Sequence, residues 1–387
     1  MIKMSKNAAI YTIFASILFC FAFFNISINN NFCLSKSSNS VETTAKAMAL
    51  MEKTTGRILY SKNLNERLPM ASTTKIITAI FIIENCDDLD KKVEISKTSV
   101  GIEGTSIGLK EGEHLSIREL LYGLMLRSGN DAAVALAEAV CGSVKAFCMK
   151  VNQFVFDLGA KNTHLENPHG LPNDSHYTTA YDLALISAYA LNNPVFQEIV
   201  STKKVEVSNE LKSLYSRTFI NKNKLLKNYE FADGVKTGYT KKAGRCFVGS
   251  ATKNGMQLVC VLLNCGPMFE ECETLLEKGF NEYSMVKLLE KDYKIADVQV
   301  IDSKVKNIPV VCDRDFYYPL TKDELSKVSV DIDAVGSLEA PIKIGQQLAE
   351  LSITLENQLI FSHKFYTIKE VENNTFKDKF NKILQGM

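Results

Sequence analysis

The sequence predicts an α/β fold of the α+β kind: an antiparallel sheet with flanking helices, an all-helical insertion, and a small C-terminal β-domain. Three observations predict it. Strand patterns at Ala47–Tyr60 and Cys246–Leu263 bracket a stretch, about residues 87–200, that carries helix signals and no strand alternation. A helix too apolar for a surface position opens near Ser72 and runs through Ile76-Ile77-Thr78-Ala79-Ile80-Phe81-Ile82-Ile83. From about residue 292 the texture becomes one of short strands separated by turn residues. A chain of 387 residues has room for two domains and a sizeable core.

The first hairpin turns at Thr54-Thr55-Gly56. Ser116-Ile117-Arg118-Glu119 is a capping box that opens a helix to about Leu126. Asp131–Val140 is an alanine-rich helix, and Thr179–Asp182 caps another that reaches about Leu191. Strands return at Lys203–Val207 and Val235–Thr237. Cys246–Thr252 and Met256–Leu263 then flank Asn254-Gly255, the strongest short hairpin signal. An amphipathic helix is expected from Phe269 to about Leu289. The β-domain strands are read at Val298–Val300, Val310–Cys312, Val328–Val330, Ile342–Ile344 and Leu351–Ile353, with Pro309 tolerated at a strand entry.

The ends differ from the rest. Lys3 and Lys6 precede an uncharged apolar run from Ala8 to Ile28, followed by polar Ser35–Lys46; this reads as an export signal, long enough to anchor the chain if left uncleaved. Thr375–Met387 spaces Phe376, Phe380, Ile383, Leu384 and Met387 along one helical face with lysines on the other, a pattern suited to a membrane surface. The expected division is therefore 1–44 export segment, 45–290 catalytic domain, 291–368 β-domain and 369–387 amphipathic helix. A net charge of +1 and the absence of a basic cluster with interleaved aromatics argue against nucleic acid as a partner. The ten cysteines show no paired pattern and are read mostly as free thiols in apolar runs.

The candidate chemistry starts at Ser72. A serine at a helix N-terminus meets free backbone N–H groups, and Lys75 three residues on shares its helical face. A desolvated lysine of lowered pKa can take the hydroxyl proton. The spacing alone is weak, since Ser201/Lys204 and Ser250/Lys253 repeat it. Two further motifs support it. Arg127-Ser128-Gly129-Asn130-Asp131 sits in a break between helices, where the Ser128 hydroxyl and the Asn130 amide can face a cleft. Lys236-Thr237-Gly238 lies on a strand and offers a cation, a hydroxyl and a close backbone approach for a carboxylate. His164, His169 and His176 gather near Glu166 and Asp174, but no His-Glu-x-x-His spacing marks a zinc peptidase, and neither metal nor cofactor is expected.

Ser-x-x-Lys, a Ser-x-Asn motif and Lys-Thr-Gly in this order are the signature of penicillin-binding proteins and class A β-lactamases. The chain resembles one branch: the low-molecular-mass serine D-alanyl-D-alanine carboxypeptidases, peptidase family S11, especially those of sporulation type. The likeness rests on Leu68–Lys75, Leu126–Ala133, Asn167-Pro168-His169-Gly170-Leu171, His176–Ala184 and Gly234–Thr240 with Ala243-Gly244. It implies the penicillin-binding/β-lactamase-like transpeptidase fold, peptidoglycan stem peptides as substrate, β-lactams as inhibitors, and a place at the outer face of the cytoplasmic membrane or in the wall. It further implies Ser72 as acyl-ester nucleophile, Lys75 as general base, Ser128 as proton relay and Asn130 as amide holder. Lys236, Thr237, Gly238, Tyr239 and Arg245 would bind substrate, with Tyr239 standing where relatives often carry His. The alternatives are a D,D-endopeptidase, a β-lactamase using Glu166, and a silent sensor of wall fragments.

Overall fold

The computed structural model describes residues 41–207 and 216–375. Residues 1–40 of the expected export segment and residues 376–387 of the expected tail helix lie outside them. β1 (Ala47–Glu52) and β2 (Ile58–Lys62) form the first hairpin. Gly56 at its turn has φ 68°, and its N–H returns to the Glu52 carbonyl at 2.9 Å. A 3₁₀ turn, Ala71–Thr73, leads into α1 (Thr74–Glu84), in which every residue from Thr74 to Ile83 is buried. A helix apolar all round can only be a central one.

The next block is helical with one exception. β3 (Lys92–Glu94) pairs with β4 (His114–Ser116) inside the region expected to hold no strand. Three-residue strands are too short to register as a period in sequence. α2 (Ile117–Leu126) opens with the expected capping box: Ser116 Oγ accepts from Glu119 N at 3.1 Å, and Glu119 accepts from Ser116 N at 2.7 Å. α3 (Asn130–Cys141), α4 (Val144–Asp157), α5 (Ala180–Ala190) and α6 (Pro194–Ser201) follow, with Thr179 capping α5 as expected.

β5 (Lys204–Val207) does not join the main sheet; it pairs with β6 (Arg217–Ile220) as a separate ribbon. After α7 (Leu225–Asn228) come β7 (Ala232–Thr240), β8 (Gly244–Lys253) and β9 (Met256–Leu263). The sheet order is β2-β1-β9-β8-β7, antiparallel throughout. Asn254 (φ 51°) and Gly255 (φ 78°) make the two-residue turn between β8 and β9, both left-handed as a type I′ turn requires. Alternation splits the sheet's side chains into two cores. Ala47, Ala49, Val248, Val259 and Val261 face α1 and α5, while Met48, Leu50, Phe247, Leu258 and Leu262 face the helix after β9.

That helix, α8 (Met268–Glu282), is shorter than expected. Residues expected to continue it form β10 (Ser284–Leu289), paired with β13 (Phe316–Leu320). The pairing partner lies some thirty residues downstream, beyond the reach of a local period. The β-domain therefore begins near 283 rather than 291. Its other elements are β11 (Lys294–Ile301), β12 (Asn307–Val311), α9 (Lys322–Leu325), β14 (Val328–Ala334), β15 (Ser337–Glu339), β16 (Gln347–Leu355) and β17 (Gln358–Tyr366). They build sheets β12-β11-β15 and β14-β16-β17 around Val298, Val310, Leu351 and Ile353. Ile342–Ile344, expected as a strand, contributes only a bridge from Ile342 to Val371, with backbone bonds of 2.9 and 3.0 Å. Residues 369–375 are thus bound to the β-domain and are not helical. Arg57 fastens this domain to the first hairpin: it donates to the Pro319 carbonyl and Glu324, and lies over the Tyr283 and Tyr318 rings.

Candidate active site

The site forms where three elements meet: the Ala71–Thr73 turn with α1, the break between α2 and α3, and the edge strand β7. β7 pairs on one side only, with β8, and packs against the Ala71–Thr73 turn. A Cβ placed on Gly238 would lie 2.9 Å from Ser72 N and 3.1 Å from Thr73 N. The glycine therefore lets the β7 backbone pass directly over the N–H groups beside Ser72.

Lys75 is fully buried at the centre, and its Nζ has three neighbours: Ser72 Oγ at 3.0 Å, Asn130 Oδ1 at 2.7 Å and the His169 carbonyl at 2.7 Å. Asn130 Nδ2 bonds the Glu103 carbonyl at 2.6 Å, which fixes the amide with Oδ1 toward Lys75. Two of the three neighbours are thus oxygens that can only accept. An ammonium here would donate to all three oxygens; a neutral amine would keep its two N–H bonds for Asn130 and His169 and turn its lone pair to the Ser72 hydroxyl. Burial pushes the Lys75 pKa well below its usual value. The positive Lys236 and Lys222 push the same way, and Asp131 opposes them. These surroundings shift the balance toward the neutral amine that a base for Ser72 must be.

Lys236 is 2% exposed, and burial, aided by Lys222, lowers its pKa to about 7. Its Nζ donates to the Thr237 carbonyl at 2.9 Å. Ser128 occupies the turn between α2 and α3 with φ 65° and is buried; Gly129 follows and Asn130 opens α3. Asp131 is also buried and receives Ser106 Oγ at 2.5 Å together with the N–H groups of Ile107, Leu109 and Ala132, pinning the preceding loop against α3. Tyr239 is 65% exposed. Arg245 sits opposite it on β8, exposed, with Nη1 donating to the Gly266 carbonyl at 3.1 Å. There it borders a cavity of about 420 Å³ with Lys224, Met268 and Glu270. Ser72, Lys75, Asn130, Lys236 and Gly238 are brought together; Arg245 makes no recorded bond to any of them.

Four contributors were missed in the sequence reading. The His169 carbonyl is a backbone group with no residue-type signal. Gly170 (φ 92°) would place a Cβ 1.9 Å from the Ala71 carbonyl oxygen. Lys222 adds positive charge beside both buried lysines. His176 bonds Thr74 behind the nucleophile turn, at 2.8 Å. Burial keeps both histidines neutral, pushing His169 down to about 3 and His176 to about 4. Glu166 gives its N–H to His176 Nδ1, and its half-exposed carboxylate lies 3.5 Å from His164 Nδ1. Among the described residues no group of three or more His, Cys, Asp or Glu is placed to hold a metal ion.

A family model described as D-alanyl-D-alanine carboxypeptidase, peptidase S11, matches residues 34–266, and one described as penicillin-binding protein 5, C-terminal domain, matches residues 283–373. The chain is 33% identical to the D-alanyl-D-alanine carboxypeptidase DacF of Bacillus subtilis (strain 168) over 336 residues, 84% of this chain and 85% of that protein. It is 29% identical over 359 residues to the D-alanyl-D-alanine carboxypeptidase DacA of Escherichia coli (strain K12), 88% of this chain and 86% of that protein. Among solved structures, penicillin binding protein 5 of Haemophilus influenzae superposes with a TM-score of 0.74 at 27% identity, covering 86% of this chain and 99% of that one. The Streptomyces K15 DD-transpeptidase superposes with a TM-score of 0.58 at 34% identity, covering 62% of this chain and 98% of that one.

Proposed function

Because this chain belongs to the peptidase S11 family of D-alanyl-D-alanine carboxypeptidases, we propose that Ser72 attacks the penultimate D-Ala carbonyl of a peptidoglycan stem peptide, with Lys75 as its base. The observation that carries this reading is the fully buried Lys75 amine, which lies 3.0 Å from Ser72 Oγ, is held by Asn130 Oδ1 and the His169 carbonyl, and has its pKa pushed well below the usual lysine range by burial and Lys236. Ser128 passes the proton to the departing D-Ala nitrogen, and Asn130 orients both Lys75 and the peptide amide. Lys236 and Thr237 bind the terminal carboxylate, and Gly238 lets the substrate backbone lie along β7. The N–H groups of Ser72 and Tyr239 stabilise the oxyanion. Water then releases the acyl-enzyme. Arg245 contributes positive charge to the carboxylate side of the cleft.

The test is intact-mass analysis of residues 45–387 with a fluorescent penicillin, followed by D-Ala release from diacetyl-Lys-D-Ala-D-Ala. A persistent one-to-one adduct on Ser72 with D-Ala release supports the reading, and labelling retained in Ser72→Ala overturns it. Rapid loss of the adduct with penicillin hydrolysis would mean a β-lactamase. That alternative is disfavoured because the one tempting deacylation base, Glu166, lies beside His164 instead. A stable adduct without D-Ala release would favour an endopeptidase or a sensor.

The apolar Ala8–Ile28 run supports export, and the lysine-faced pattern of residues 375–387 supports attachment to the outer face of the membrane. Loss of liposome binding on removing residues 376–387 would support the second point. The likeness to sporulation-type relatives supports action on spore wall, which the stem-peptide composition of spores lacking this protein would test.

A further inference from the structure

The peptide bond between Ala71 and Ser72 carries the N–H proposed for the oxyanion, and its orientation is held from behind. Ala71 has φ 49°, a left-handed conformation that a β-carbon-bearing residue adopts only when its surroundings impose it. Its carbonyl accepts from the Thr74 N–H and from the Thr74 hydroxyl at 2.7 Å. A planar trans peptide turns as one piece, with carbonyl and N–H on opposite sides, so fixing the Ala71 oxygen fixes the direction of the Ser72 N–H.

The Thr74 hydroxyl has its own orienting partner. It spends its one proton on Ala71, so its lone pair must receive, and His176 Nε2 stands 2.8 Å away. The tautomer follows from the far side of the ring, where His176 Nδ1 accepts the Glu166 N–H at 3.1 Å and therefore carries no proton. The relay runs one way: Glu166 N–H to His176, His176 Nε2–H to Thr74, Thr74 O–H to the Ala71 carbonyl. His176 is 3% exposed and Thr74 is fully buried, so water does not compete with these bonds. Neither side chain bonds Ser72 or Lys75.

We propose that Thr74 and His176 are positioning residues for acylation, a buried hydrogen-bond relay that aims the Ser72 N–H at the developing oxyanion. The inference rests on the reading of Ser72 as the acylated residue. It predicts that the relay acts on the transition state and leaves substrate binding alone.

The experiment compares Thr74→Val, Thr74→Ser, His176→Phe and His176→Gln, scored by kcat and KM on diacetyl-Lys-D-Ala-D-Ala. Rates are normalised to the fraction of sites that a fluorescent penicillin eventually titrates, so misfolded protein does not count. An oxyanion donor out of line by a fraction of an ångström lowers kcat alone, and Thr74→Val is expected to lose about 10- to 100-fold in kcat with KM within about twofold. Thr74→Ser restores the hydroxyl and should return to within about threefold of wild type. His176→Gln keeps an N–H toward Thr74, so its kcat per titrated site should lie between those of wild type and His176→Phe. Thr74→Val at wild-type kcat per titrated site, with Ser72→Ala inert, overturns the relay and leaves the nucleophile assignment standing. A fall in titratable fraction or melting temperature without a fall in kcat per site also overturns it, since that is what mere structural support would produce. Labelling retained in Ser72→Ala overturns both.

Discussion

Gly170→Ala puts a single methyl group against the back of the nucleophile turn. An ideal Cβ there would lie 1.9 Å from the Ala71 carbonyl oxygen, 2.4 Å from its carbon and 2.8 Å from Thr74 Oγ. Two of these are backbone atoms, so no flexible side chain can swing away. Either the Asn167–Leu171 loop or the Ala71–Ser72 peptide must retreat by about 1 Å, a misplacement on the order of 100-fold in rate when it reaches reacting groups. Gly170 also has φ 92°, a region that alanine enters only with strain. Retreat of the loop would carry the His169 carbonyl away from Lys75, so both escapes injure the site. Acylation by a fluorescent penicillin, followed by stopped flow, is expected to slow at least about 100-fold. The melting temperature should fall as for about 2 kcal/mol of lost stability, because the strain is local. Acylation within threefold of wild type would refute the argument that this loop supports the nucleophile turn.

Lys75→Met removes the base while keeping an unbranched side chain of similar length; acylation should fall by at least about 1,000-fold, and circular dichroism should report an intact fold. Acidification should unfold the catalytic domain early. His169 and His176 are lowered from 6.5 to about 3 and about 4, so the unfolded chain binds more protons than the native one at intermediate pH. Their contribution is fully present above about pH 6.5 and is lost as pH falls toward 4, at up to about 2.7 kcal/mol per pH unit for the two together. Urea midpoints measured between pH 7 and pH 4.5 should fall accordingly, and His176→Gln should flatten the slope. Gly255→Ala forces a methyl group on φ 78° in the β8–β9 turn. It should cost about 1 kcal/mol in urea unfolding with acylation unchanged, since the turn lies at the end of the sheet away from Ser72.

Much of the site could be read from residue types. Ser72 and Lys75 are neighbours by helical spacing alone, and α1 announces its burial by having no polar face. Lys236-Thr237-Gly238 falls on a strand for the same local reasons, although only the resemblance places it opposite Ser72. Arg245, expected to bind substrate, donates to the Gly266 carbonyl and borders a cavity with Lys224, Met268 and Glu270, contacts that no local pattern announces. The β8–β9 turn, the α2 capping box and the α5 cap were legible because each is a contract between residues two to four apart. The extension of α8 to Leu289 failed for the opposite reason: β10 exists because Phe316–Leu320 lies beside it, and no local period records a distant partner.

The sequence by itself determined the chemistry available: a serine and lysine on one helical face, an amide and a hydroxyl in a helix break, and a lysine on a strand. Tertiary structure alone decided the state of those groups. The lowered pKa of Lys75 follows from burial and neighbouring cations, and its aim at Ser72 from two oxygens, one a backbone carbonyl 94 residues away. The direction of the Ser72 N–H follows from a carbonyl held by Thr74, a histidine 102 residues away and a glycine whose missing side chain leaves room for them. Protonation and orientation depend on what surrounds an atom in space. Separation along the chain does not encode that.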